Sequence, residues 1–91
     1  MTTEIFRQIV DVSDEINVAE PHAYTVSRTD DGKMFLEVSW TKWANSYGHR
    51  NLIGSGHEVY VGEAQVRENM HPVLMDAFLD VIEPLPTGAN T

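Results

Sequence analysis

Apolar and polar residues follow different rhythms in different parts of this chain. From Met34 to Thr41 they alternate strictly: Met34, Leu36, Val38 and Trp40 interleave with Phe35, Glu37, Ser39 and Thr41. A period of two is that of a strand with one buried face. Tyr24 and Val26 would join the same face from a strand over 23–28, and Thr29-Asp30-Asp31-Gly32 supplies the turn between them. Gly32 is free to take the left-handed conformation that a short hairpin loop demands. The pattern thus predicts a hairpin of strands 23–28 and 33–41. Val59 and Val61 alternate with Glu58 and Tyr60, which predicts a further strand at 57–61.

Two stretches carry a helical rhythm instead. Ile5, Ile9, Val12 and Ile16 stand at i, i+4, i+7 and i+11, with Phe6 and Val10 beside them. That spacing predicts an amphipathic helix from Thr3 to Ile16, capped by Thr2 or Thr3, although so many β-branched residues would also suit a strand. From Pro72 to Glu83, Asp76, Asp80 and Glu83 fall on one narrow stripe of a helix and apolar residues cover the rest. Pro72 suits the first turn and Pro84 stops the helix. A helix so apolar is expected to be wrapped on more than one side. Residues 63–69 suit either a short helix or an extension of the preceding strand.

Between these elements the rhythm stops. Residues 42–56 hold three glycines, no sustained period and a concentration of aromatic and hydrogen-bonding side chains, the profile of a long functional loop. The order helix, strand, strand, strand, helix predicts an α+β fold of two layers. A small antiparallel sheet of three or four strands carries an N-terminal and a C-terminal helix on one face. One domain is expected over 1–85, followed by a flexible tail over 86–91. Three strands are few for so apolar a helix, so either a homodimer or a fourth strand hidden in the loop is expected to complete the core; the dimer ranks first.

Composition narrows the classes of function. Fourteen Asp and Glu against six Lys and Arg give a net charge of −8, which opposes direct binding to nucleic acid or to anionic membranes. The chain has no cysteine, which excludes disulfides and thiolate chemistry and favours a reducing compartment. No run approaches the length of a membrane span and no signal-peptide pattern opens the chain, so a cytoplasmic protein is expected.

Candidate chemistry is sparse. His49 and His57 stand eight apart across a glycine-rich segment, without the spacing of a ligand set, so no metal, cofactor or catalytic residue is expected. Asp76 and Asp80 lie one helical turn apart, which suits a solvated stripe better than a catalytic pair. Trp43, Tyr47, His49 and Arg50 are residue types that anchor protein interfaces, whereas the alternation places Trp40 in the core. The chain is accordingly expected to be a small, acidic, non-enzymatic protein-binding module, an inhibitor or adaptor on a larger assembly that binds nucleic acid. Its contacts would be Trp43, Tyr47, His49 and Arg50, together with Asp76, Asp80 and Glu83 facing a basic surface. The alternative is a small enzyme or ligand-binding protein using the histidine- and glycine-rich loop 42–57.

Overall fold

A computed structural model describes residues 1–83, of which strand accounts for 57% and helix for 22%. Five strands come first: β1 (Thr2–Asp11), β2 (Val18–Ala19), β3 (Pro21–Thr29), β4 (Met34–Ser46) and β5 (His49–Val61). Two helices follow, α1 (Glu63–Asn69) and α2 (Met75–Ile82), the latter entered through a 3-10 turn over Pro72–Leu74. All pairings are antiparallel. β1 lies beside β3, β3 beside β4, and β5 along the other side of β4, while the short β2 continues the line of β3 and pairs Val18 with Ala44 and Ala19 with Trp43. β1 and β5 are therefore the edges.

The predicted N-terminal helix is overturned: residues 2–11 form an edge strand paired from Thr2↔Thr29 to Asp11↔Pro21. An extra residue, Ile5, bulges out of β1 between the pairs Glu4↔Ser27 and Phe6↔Val26. Because of that bulge Ile5 joins Phe6 against the core, and consecutive apolar residues then imitate a helical spacing. Ile9 and Val10 are β-branched and follow the strand preference. Ile16, the last member of the supposed helical stripe, lies almost fully in solvent.

The long loop is overturned as well. Residues 42–46 continue β4 and residues 49–56 begin β5, so the two strands run 13 residues each and meet at a two-residue turn. Tyr47 (φ 52°) and Gly48 (φ 78°) both occupy the left-handed region there, as a type I′ hairpin turn requires. The shortage of strands that favoured a dimer is thereby met within the chain.

The 23–28 and 33–41 hairpin has the expected facing, with Tyr24↔Val38 and Val26↔Leu36 in register and Gly32 at φ 89° in its turn. On that face lies the core, made of Phe6, Tyr24, Val26, Met34 and Leu36 from the sheet and Val66, Met70, Leu74 and Phe78 from the helices. Phe78 is fully buried and meets Phe6 edge to face, with ring centroids 5.8 Å apart. α1 lies on β4 and β5, and α2 reaches β1.

The C-terminal helix differs from expectation in two ways. Its first turn is 3-10, held by the Val73 N–H donating to His71 Nδ1 at 3.1 Å. Nor is it wrapped: Leu74 and Phe78 face the sheet, while Val73 and Val81 are 73% and 44% exposed. One layer of sheet covers one stripe of a helix, and nothing else lies over α2 among the described residues. The tail expected over 86–91 lies outside those residues. Among the described residues no helix is long and apolar enough to cross a membrane.

Every buried side chain sits at one end of the sheet. From Leu36 under the helices to Ser46 at the hairpin tip is ten residues of strand, roughly 33 Å. Extents of 56 × 32 × 19 Å and a radius of gyration of 16.3 Å, against about 12 Å for a compact chain of this length, show how far the sheet outruns its helical layer.

Two predictions follow from this packing. Phe78→Ala should lower stability by about 3–5 kcal/mol, read from urea unfolding; a loss below about 1 kcal/mol would mean that the ring is not central to the core. The second concerns Asp11, whose carboxylate accepts N–H groups from Ser13 (3.0 Å) and Glu20 (3.1 Å). Those bonds hold it below its usual 3.8. A depressed folded value means stabilisation that is complete above the unfolded value and lost as pH falls through the folded one. Asp11→Asn should therefore flatten the part of the stability loss seen below about pH 4, and an Asp11 titration midpoint at or above 3.8 would contradict the assignment.

Candidate docking surface and cleft

Beyond the helices the sheet continues as a single layer, formed by β2, the ends of β1 and β3, residues 40–46 of β4 and residues 49–56 of β5. No residue in this distal half is buried, although it carries both tryptophans.

Trp43 lies on the face opposite the helices. Its indole N–H donates to Thr41 Oγ1 at 2.9 Å, and the Arg50 guanidinium stands 5.1 Å from the ring centroid. Leu52, its cross-strand partner, is 53% exposed. Ile53 bulges out of β5 between the pairs Lys42↔Gly54 and Trp43↔Leu52, and is 55% exposed. At the tip, Tyr47 is 99% exposed. Trp43, Tyr47, His49 and Arg50 are thus brought together, as two ends of one hairpin. Asp76 and Asp80 belong to α2 at the other end of the molecule, and Glu83, which caps that helix, is paired to Arg67. The seven residues do not form one surface.

Trp40 occupies the helix-bearing face of the distal half. It is half-buried and outside the core in which the alternation placed it. The ring leans across β5 and lies on glycine: a Cβ built on Gly56 would stand 2.4 Å from Trp40 Nε1 and 2.5 Å from Cε2, and one on Gly54 would stand 3.4 Å from Cζ3. On its other side the His22 ring stacks at 5.7 Å, with the two planes 12° apart. His22 Nε2 is 2.8 Å from Glu20 Oε2, and Lys42 Nζ is 3.7 Å from Glu20 Oε1. These contacts tie β3, β4 and β5 together where no helix covers them.

Between this cluster and the end of α1 opens a cleft of about 200 Å³, lined by Tyr24, Trp40, Tyr60, Glu58, Asn69 and His22. The Tyr60 hydroxyl donates to Glu58, and that bond holds the phenol above its usual range. Burial does the same for Tyr24. Sequence reasoning missed this cleft because its residues come from four elements. The one available signal was the glycine pair Gly54 and Gly56 at strand spacing, which marks close approach of a large side chain.

The histidines of the supposed loop are not gathered. His49 sits at the tip, whereas His57 lies eight residues down β5, about 26 Å away along an extended strand, and pairs with Glu37 at 3.0 Å. Among the described residues no group of three His, Asp or Glu converges as a metal site would. Comparison with protein-family models, with curated proteins and with solved structures finds no match to the chain.

The Trp40–glycine contact yields a test with a change of sign. Neither Gly54 nor Gly56 has a positive φ, so alanine suits the backbone at both, and only at Gly56 does the indole stand in its way. Gly56→Ala should therefore cost about 1–3 kcal/mol in the natural chain, yet be neutral or stabilising in a Trp40→Ala background. Equal effects in both backgrounds, measured by urea unfolding, would show that the ring does not lie on Gly56.

Proposed function

We propose that the chain is a small, acidic, non-enzymatic binding module, an inhibitor or adaptor that docks through the distal half of its sheet on a protein with a basic surface. One observation carries the reading: the distal half presents two tryptophans, a fully exposed tyrosine and two exposed aliphatic side chains, with no second layer over either face among the described residues. Sheets of globular domains bury at least one face against another layer, and a partner protein would supply the missing one. Trp43, Arg50 and Tyr47 are the residue types in which interface energy concentrates. They sit on paired strands, so little ordering would oppose association.

Charge supports the choice of partner. Asp11, Asp14, Glu15 and Glu20 cluster on the connection that runs beside the distal sheet, within a chain of net charge −8. Such a border steers a basic partner towards the aromatic surface. Asp76, Asp80 and Glu83 lie too far from Trp43 to share a small interface, and we assign them to the solvated face of α2.

The test is affinity capture with the full chain, a photo-crosslinker in place of Tyr47 and increasing salt. A basic protein should be crosslinked at low salt and released as screening shortens the Debye length below about 8 Å. Trp43→Ala should speed its dissociation by about 30-fold, equivalent to about 2 kcal/mol, while leaving the unfolding midpoint nearly unchanged. Reversing Asp14 and Glu15 should chiefly slow association. Capture that is indifferent to salt and to Trp43 would overturn the reading.

A further inference from the structure

The cleft beside Trp40 has a composition that its structural duties do not require. A gap between a sheet and a helix end is ordinarily closed by aliphatic side chains, yet this one has a single aliphatic residue, Val38, in its lining and is otherwise bordered by Tyr24, Trp40, Tyr60, the His22 imidazole, a carboxylate and a carboxamide. Two of the acidic groups nearby have different circumstances. Glu20 is engaged by both His22 and Lys42. Glu58 receives the Tyr60 hydroxyl, and among the described residues no Lys, Arg or His forms an ion pair with it. Asn69 spends its amide hydrogens on Gln65, which turns its acceptor oxygen to other use. The cleft therefore offers aromatic surface and hydrogen-bond acceptors, with the histidine in its lining, His22, already paired to Glu20.

That combination selects against anions and for a cation with a flat, polarisable surface. Aromatic rings attract cations electrostatically, and a guanidinium gains more than an ammonium from ring planes because it stacks on them while its edge donates to a carboxylate. We propose that the cleft is a receptor for one arginine side chain of the docked protein. The guanidinium would lie against the Tyr60 ring, beside the edge of Trp40, and donate to Glu58 and Asn69. This rests on the reading of the chain as a protein-binding module and narrows it. The cleft would fix the register of a partner that the acidic border and the distal sheet only attract, since a planar donor set meets a carboxylate in one orientation.

The inference is testable without the partner. With Trp43→Phe, Trp40 is the only indole left in the chain, and its fluorescence and indole N–H resonance report on the cleft alone. Nα-acetyl-arginine amide should shift both signals saturably. The citrulline analogue, which keeps the shape and lacks the charge, should not, and the lysine analogue should bind more weakly than arginine. Glu58→Gln, at an exposed position where folding is not at stake, should weaken arginine binding by about tenfold, equivalent to about 1.4 kcal/mol. Equal shifts with citrulline, indifference to Glu58→Gln, or resonance changes confined to Asp76 and Asp80 would each overturn the proposal. Its failure is separable from that of the wider reading: salt-sensitive capture through Trp43 would survive an empty cleft, and arginine binding would survive a chain that captures nothing.

Discussion

One contact holds the extended part of this sheet in shape: the indole of Trp40 laid flat over Gly56 and Gly54. Glycines weaken a strand because they contribute entropy to the unfolded chain and no side chain to the folded one. Here two of them stand at alternate positions of an edge strand, where the loss should be most damaging. The ring makes up the missing surface from the neighbouring strand, and His22 supports the ring from behind. A side chain at Gly56 would push the indole aside, one at Gly54 would only touch it, and removing the indole would leave a bare backbone groove. The cleft beside Trp40 takes one of its walls from this arrangement.

The molecule is thereby divided into two ends with different physics. At one end a conventional core, nine buried side chains among the described residues, anchors sheet to helices. At the other, shape is maintained by strand pairing, by cross-strand stacking and by the connection through Asp11 and Glu20, whose backbone and side-chain bonds join β1 to β3. Stability is concentrated away from the surface proposed to bind. Substitutions in the distal half can consequently change recognition while the folded state persists.

How much of this the sequence disclosed depended on whether a stretch obeyed a single period. The hairpin of β3 and β4 was legible because Tyr24, Val26, Leu36 and Val38 keep strict alternation and Gly32 marks the turn. The first strand was not, since the bulge at Ile5 shifts the phase and sets Ile5, Phe6, Ile9 and Val10 at spacings that a helix also satisfies. Residues 42–56 read as a loop because Gly54 and Gly56 look like breakers until the ring that covers them is known, and because Tyr-Gly is a weaker turn signal than Asn-Gly. Of the expected contact residues, Trp43, Tyr47, His49 and Arg50 do share one hairpin. Asp76, Asp80 and Glu83 were grouped with them by charge alone, and charge carries no information on distance. The cleft residues were illegible as a set, for only tertiary pairing brings Glu58 and Tyr60 beside Trp40.

The two bulges have a further consequence. Both interruptions of register fall on the outer strands, and in each the supernumerary residue is an isoleucine, Ile5 in β1 and Ile53 in β5. An open-sided sheet with unpaired borders on both flanks is a template for end-on growth by its own copies. A bulge bends its strand and sharpens the local twist, so the row of donors and acceptors on each flank is broken, at Ile5 in β1 and at Ile53 in β5. The irregularity that concealed β1 from a periodic reading, and its counterpart in β5, thus shorten the regular edge that each flank of this sheet offers to another strand.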